Sequence, residues 1–362
     1  MKIAALFCSL MGAAAVAVAI SGCGTSGPAP LTISQPPPPT STPAAKLLYV
    51  DHNGTFYEYA LPLNAGAKPL RTLTEWPGLA FAPVIASDQY GNVALASNEQ
   101  LRLFHRPIVS FAASRASLKL KLTPAITEVG LSGADLVDLE YDPNENLWLF
   151  NNLGADITEL RNPISKSSVA ALSIGFGAPG SKTAGYTTLV QGRFDVNAAL
   201  YVYASTSAIP PHSRLFKVGF PYAKPPGSLG LNLSQADFVD STQWPPTAPN
   251  APSLLIGQYT GALRSPKPGS PPSPPVNVLG QFSQPLNAQG QGLFPEAHID
   301  GISGAIVADP YRSSFYSLDA GTGRLDVFAL PMQSQAKPKL SLPCLAGPSN
   351  CSNKLEHLFL AP

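Results

Sequence analysis

Ser87-Asp88-Gln89-Tyr90-Gly91-Asn92-Val93-Ala94-Leu95 joins the end of one apolar stretch to the start of another through a tight turn. The same pattern returns as Tyr141-Asp142-Pro143-Asn144-Glu145-Asn146-Leu147-Trp148-Leu149 and as Phe194-Asp195-Val196-Asn197-Ala198-Ala199-Leu200-Tyr201-Val202. It appears again as Ala308-Asp309-Pro310-Tyr311-Arg312-Ser313-Ser314-Phe315-Tyr316. The leading aspartates, Asp88, Asp142, Asp195 and Asp309, are separated by 54, 53 and 114 residues, the last being twice 57. Asp bonds to backbone two residues on, Pro presets φ, and Gly or Asn accepts a positive φ, so these are hairpin turns. The dense alternation of aspartates that makes a calcium loop is absent. Each unit reads as an apolar strand, an Asp-led turn, a second apolar strand and a third short strand ending near proline. A repeat of this length built of strands alone means a propeller or a related radial array.

The same interval predicts a unit near residue 250. There Pro249-Asn250-Ala251-Pro252-Ser253-Leu254-Leu255-Ile256-Gly257 keeps the turn and the following strand but lacks the aspartate. Upstream, only the later strands of a unit are visible, at 47–50 and 55–61. The segment Lys354-Leu355-Glu356-His357-Leu358-Phe359-Leu360 is placed to supply the missing one. The expectation is an all-β, six-bladed β-propeller closed by pairing of its N- and C-terminal strands, with seven blades as the alternative. Closure removes the open sheet edge that would otherwise invite aggregation.

The first residues have a different character. Met1-Lys2 is followed by an almost unbroken apolar run from Ile3 to Ile20, then small residues and Cys23. This is the layout of a signal peptide, the alternatives being an uncleaved anchor or ordinary cleaved secretion. Ile20-Ser21-Gly22-Cys23 resembles the lipobox of bacterial lipoproteins, which implies cleavage before Cys23 and acylation of that cysteine. Residues 24–45 are rich in Pro, Ser, Thr and Gly and nearly empty of large apolar side chains, so they read as an extended tether. At about 3.1 Å per residue it would reach roughly 60 Å. The domain expectation is therefore 1–22 signal peptide, 23–45 acylated cysteine and tether, and 46–362 propeller. The resemblance implies a bacterial cell-envelope location, with the domain extracytoplasmic and the anchor in the outer membrane or the outer face of the cytoplasmic one.

Only 12% of the 362 residues are charged, and 23 Lys and Arg balance 22 Asp and Glu. No Lys/Arg cluster appears along the sequence, so the electrostatic footprint of a nucleic-acid binder is missing. The 39 prolines and 30 glycines suit many short strands joined by many turns. Of the four cysteines, Cys344 and Cys351 bracket a Gly-Pro turn and are expected to form a disulfide, as an exported protein permits. Two cysteines without a nearby histidine do not complete a zinc site.

Ile85 to Leu95 followed by Gln100 to Phe104, together with the echo between Phe56-Tyr57-Glu58-Tyr59-Ala60-Leu61-Pro62 and Leu325-Asp326-Val327-Phe328-Ala329-Leu330-Pro331, resembles NHL-type propeller repeats. That group includes binding and scaffolding propellers as well as gluconolactonase-like hydrolases and the streptogramin B lyase, so it implies a fold and leaves the activity open.

In such propellers the ligand sits at one mouth of the channel, in segments leading into the innermost strands. Those segments are expected to carry Trp76, Asp135, Gln191, Trp244 and the alternating trio Glu296, His298 and Asp300. A carboxylate beside an imidazole can hold a divalent cation or act as a base, and solvent-facing alternation explains the same trio equally well. No Gly-x-Ser-x-Gly elbow, His-Glu-x-x-His helix or phosphate loop occurs. The expectation is a monomeric, membrane-tethered binding propeller without a cofactor. Its partner would be an envelope protein or polysaccharide, not nucleic acid. The alternative is a hydrolase or lyase using a divalent cation.

Overall fold

The structure is a computed structural model. It describes residues 45–52, 55–74, 84–97, 100–112, 115–123, 126, 136–152, 155–177, 184–194, 198–206, 213–219, 222, 227–233, 239–243, 253–261, 276–283, 297–300, 305–319, 322–344 and 357–361. The apolar run 3–20, Cys23 and the tether up to residue 44 lie outside them.

The chain folds as an all-β propeller, and among the described residues the strands pair into six antiparallel, four-stranded sheets. Sheet 1 contains β1 (Leu47–His52), β2 (Thr55–Ala60) and β3 (Arg71–Thr74). Sheet 2 is β4 (Val84–Ser87), β5 (Val93–Ser97), β6 (Gln100–Phe104) and β7 (Leu118–Lys121). Sheet 3 is β8 (Leu136–Tyr141), β9 (Leu147–Asn151), β10 (Asp156–Leu160) and β11 (Leu172–Gly175). Sheet 4 is β12 (Tyr186–Phe194), β13 (Leu200–Thr206), β14 (Ser213–Val218) and β15 (Gly227–Leu233). Sheet 5 is β16 (Val239–Gln243), β17 (Ser253–Gly261), β18 (Val276–Ser283) and β19 (Ala297–Asp300). Sheet 6 is β20 (Ile306–Asp309), β21 (Ser314–Leu318), β22 (Leu325–Ala329) and β23 (Leu340–Leu342). The last strand, β24 (Leu358–Ala361), returns to sheet 1 and pairs with β1, Leu47 opposite Ala361 and Val50 opposite Leu358.

The first strand of each sheet touches the first strand of the next. The contacts run from β4 to β8, β12, β16, β20 and β24 and back to β4. These are the inner strands, and β24 serves as the inner strand of sheet 1. Ser87 of β4 donates to the Leu360 carbonyl of β24 at 3.2 Å, across the point where the ring closes. Among the described residues, all strand pairs lie within residues 47–361.

The core lies between sheets. Tyr49, Phe56 and Phe359 of sheet 1 pack with Ile85, Leu95 and Phe104 of sheet 2. Leu101 and Leu103 of sheet 2 pack with Leu139, Leu147 and Leu149 of sheet 3. Trp148 and Ile157 of sheet 3 meet Phe194, Val202 and Phe216 of sheet 4. Leu48 and Val50 close the circle against Tyr316, Leu318 and Leu325 of sheet 6. Each large side chain so buried contributes about 1.5–3 kcal/mol, so a sheet removed from its neighbours loses much of its stability.

The Asp-led turns do what their residues predict. The Asp142 carboxylate accepts from the backbone amides of Asn144 (2.8 Å) and Asn146 (2.9 Å) and from Trp148 Nε1 (3.0 Å). Asp88 repeats this with Tyr90 and Asn92. The turn position requiring a left-handed backbone is Gly91 (φ 80) in sheet 2, but Glu145 (φ 64), Ala198 (φ 57) and Ser313 (φ 49) occupy it elsewhere. In sheets 2 and 3 the asparagine that ends the turn then clamps the next crossing: Asn92 Oδ1 accepts from Arg106 N, and Asn146 Oδ1 from Asn162 N. This places the loop between third and fourth strands at the same end of the sheet as the turn between first and second. Because each sheet has four antiparallel strands, that end is shared by the whole ring. In sheet 1 the turn is replaced by the chain ends themselves, with Lys46 N donating to Ala361 O and Leu61 N to Lys46 O, both 2.8 Å. This is the entry end of the ring.

Each unit holds a fourth strand beyond the three that the sequence predicts, at 71–74, 118–121, 172–175 and 340–342 in the clearest cases. These outer strands are three or four residues long and half-exposed, too short for alternation to reveal.

Candidate functional site

Gln191 is the sequence candidate whose surroundings the structure describes. It lies on the inner strand β12, is buried, and sits where β12 slips register against β13 between Leu189 and Gln191. Two residues along, Arg193 forms the centre of a polar seam between inner strands β8 and β12. The seam begins with a second irregularity, in β8 between Leu136 and Asp138, which aims the Asp138 carboxylate at β12. One Asp138 oxygen accepts from Leu139 N (3.0 Å). The other accepts from Gly192 N (3.0 Å) and Arg193 Nη1 (2.9 Å). Arg193 Nη1 also reaches Glu140 Oε2 at 3.2 Å and the Gly192 carbonyl at 2.7 Å.

Burial raises the Asp138 pKa above the usual carboxylate range, opposed by the Arg193 charge and the two backbone N–H donors. Asp138 is nearly enclosed, while Glu140 and Arg193 keep 23% and 21% of their side chains exposed, so only these two can meet a ligand. The approach of the strands depends on Gly192. A Cβ there would lie 2.0 Å from the Phe150 ring.

At the entry end a second polar contact joins sheets 2 and 3. Glu145 bonds to Gln89 of the neighbouring turn, and its carboxyl is pushed up to about 7 by burial, then by the Asp88 charge, with a smaller push from Asp142. Tyr141 is raised by burial, Asp88 and Glu145.

Other buried carboxylates serve the scaffold. Glu58 takes Tyr49 Oη at 2.5 Å and a two-pronged contact from Arg71 at 2.9 and 2.7 Å. Asp326 takes Arg324 and Ser341. Among the described residues, no group of three or more His, Cys, Asp or Glu is placed to hold a metal ion.

The remaining sequence candidates separate. Trp76 and Asp135 precede the inner strands β4 and β8 as expected, and both lie outside the described residues. Trp244, also outside them, follows inner strand β16, so its segment leaves that strand instead of leading into it. His298 and Asp300 are on β19, the outermost strand of sheet 5, opposite Gly280 and Val278 of β18. His298 and Asp300 thus belong to an outer strand and not to a segment leading directly into an inner one. The inner strand that follows is β20, and Glu296 itself lies outside the described residues. Cys344 is disulfide-bonded, and Cys351, its expected partner, lies outside the described residues. Sequence reasoning missed Asp138, Glu140 and Arg193. The signal was available in the alternating charges of Leu136-Val137-Asp138-Leu139-Glu140, an inner strand that should otherwise read apolar.

Neither a protein family nor a curated protein matches the chain. Among solved structures, a functionally unknown protein from Desulfotomaculum acetoxidans is 10% identical with a TM-score of 0.48, covering 88% of this chain and 99% of its own. A protein of unknown function from Bacteroides caccae is 11% identical with a TM-score of 0.44, covering 87% and 99%. Kuenenia stuttgartiensis hydrazine synthase is 9% identical with a TM-score of 0.45, covering 79% and 74%. Similarity at this level says nothing of activity, and the fold stands on the strand pairing itself.

Proposed function

We propose that the chain is an extracytoplasmic binding propeller of the six-bladed, NHL-like kind, held to a bacterial membrane by lipid on Cys23 and working without a catalytic site. The observation that carries the binding reading is the engagement of the buried acids. Asp138, Glu58, Asp142 and Asp326 each accept several hydrogen bonds from their own scaffold. A general base must instead hold a lone pair ready for a substrate proton. Asp138 committed in this way ties sheet 3 to sheet 4, while Glu58, Asp142 and Asp326 brace their own sheets, so the ring is a rigid frame on which connecting loops at the end opposite the entry end can recognise a partner. The ligand class supported is an envelope protein or polysaccharide met by those loops.

The test uses the full chain expressed in a bacterium. Cys23 should carry acyl groups by intact mass, and Cys23→Ala should release the protein from membranes. Capture of envelope polysaccharide or protein should persist in chelator. Turnover of a lactone or ester that chelator abolishes would overturn the binding reading, and a membrane-bound Cys23→Ala chain would overturn the anchor.

A further inference from the structure

We propose that the entry end of the ring is a docking surface for an anionic lipid bilayer. The inference rests on the proposed lipid anchor only for which surface lies within reach. Its first ground is apolar exposure. All five large hydrophobic side chains exposed among the described residues, Leu70, Tyr90, Val109, Val169 and Tyr311, belong to turns or loops of this one end. Tyr90 and Tyr311 hold the same place, two residues after the turn aspartate, in sheets 2 and 6. Those sheets flank sheet 1, where the chain enters. Tyrosine suits the headgroup level of a bilayer because one end is apolar and the other polar.

Charge supplies the second ground. Loops 61–70, 105–117, 161–171 and 330–339 contain seven Lys or Arg and no Asp or Glu, in a chain whose charges balance overall at 23 against 22. Lys68, Arg106, Lys166, Lys337 and Lys339 are all exposed. Of the acids described at this end, Asp88, Asp142 and Asp309 hold their own turns, Asp309 is further paired with Arg312 at 2.8 Å, and Glu145 is bonded to Gln89 of the neighbouring turn. At least 34 residues separate one loop from the next in sequence, so no basic run shows until the ring gathers them. Basic side chains draw such a face to anionic headgroups, and the interleaved Tyr, Leu and Val enter the interface.

The third ground is connectivity. The described chain begins beside Ala361, at this end, and the Pro-rich segment up to Cys23 continues from there. With Cys23 held in a bilayer, attachment at this end brings the entry end toward the surface, leaving the opposite end outward for a ligand.

The experiment uses residues 35–362, which form a compact unit without the segment before them. They are sedimented with vesicles of phosphatidylglycerol in phosphatidylcholine and with vesicles of phosphatidylcholine alone. Binding should require the anionic lipid and weaken with salt. It should fall about tenfold or more in Lys68→Glu/Lys166→Glu/Lys337→Glu. Tyr90→Ser/Tyr311→Ser should also weaken it, with the wild-type melting transition kept. Lys121→Glu, at the opposite end, should leave it unchanged. Equal partition onto neutral vesicles, indifference to both sets of changes, or preference for a soluble anionic polysaccharide over vesicles would overturn the proposal. Because this piece lacks Cys23, its result is independent of whether the full chain is acylated.

Discussion

Asp138 sits where water is excluded, and its ionised form depends on Arg193 and two backbone amides. Removing the guanidinium leaves that charge uncompensated. Arg193→Met should lower stability by about 2–3 kcal/mol in urea unfolding, and Asp138→Asn in the same chain should restore part of the loss. Gly192→Ala forces the Phe150 ring aside and should cost about 1–3 kcal/mol, reduced by a smaller residue at 150. Glu145 gives a pH signature. Its carboxyl is raised in the fold from 4.5 to about 7, so the protonated form is the one folding favours. The stability it contributes is complete below pH 4.5 and disappears as pH rises through about 7. Glu145→Gln should flatten this stretch of the stability curve and raise the melting temperature at pH 8, and an unchanged slope would refute the assignment. The turn aspartates were legible in sequence because their chemistry is local. Asp138 and Arg193 were not, because 55 residues separate them and only the ring makes them neighbours.

Among elements, β24 carries the most consequence for its length. Its Phe359 stacks on Tyr49 with centroids 4.6 Å apart and leans on Phe56 at 6.1 Å, so one four-residue strand fills the seam between sheets 1 and 2. Phe359→Ala should destabilise the protein by about 3–5 kcal/mol in denaturant unfolding, far more than a terminal residue normally does. The strands at 47–52, 55–60, 100–104, 200–206 and 325–329 could be read from apolar and aromatic alternation, and the terminal strand from the gap it had to fill. The outer strands could not, because Arg71–Thr74 and Leu172–Gly175 are short and flanked by loops of mixed character. In sheet 5 the turn near Asn250 lacks the aspartate that sets the phase elsewhere. Without that marker, the sequence places Trp244 and the segment ending at Asp300 before inner strands, whereas Trp244 follows β16 and Asp300 ends the outer strand β19.

At the scale of the whole molecule, the architecture was legible because a 55-residue strand repeat has few ways to bury its faces, while the distribution of charge was not. Lys68, Arg106, Lys166 and Lys337 are isolated in sequence and gather at one end only because each blade repeats the same crossing. Every reading above this level depends on a ring closed by its own two ends, since closure fixes where the tether leaves and which end is free. The direct test is the double variant Val50→Cys/Leu358→Cys, which replaces register partners on β1 and β24. On oxidation it should form a cross-link within one molecule, seen by mass and non-reducing electrophoresis, and its melting temperature should rise. Cysteines that stay reduced, or that join separate molecules instead, would contradict the closed ring.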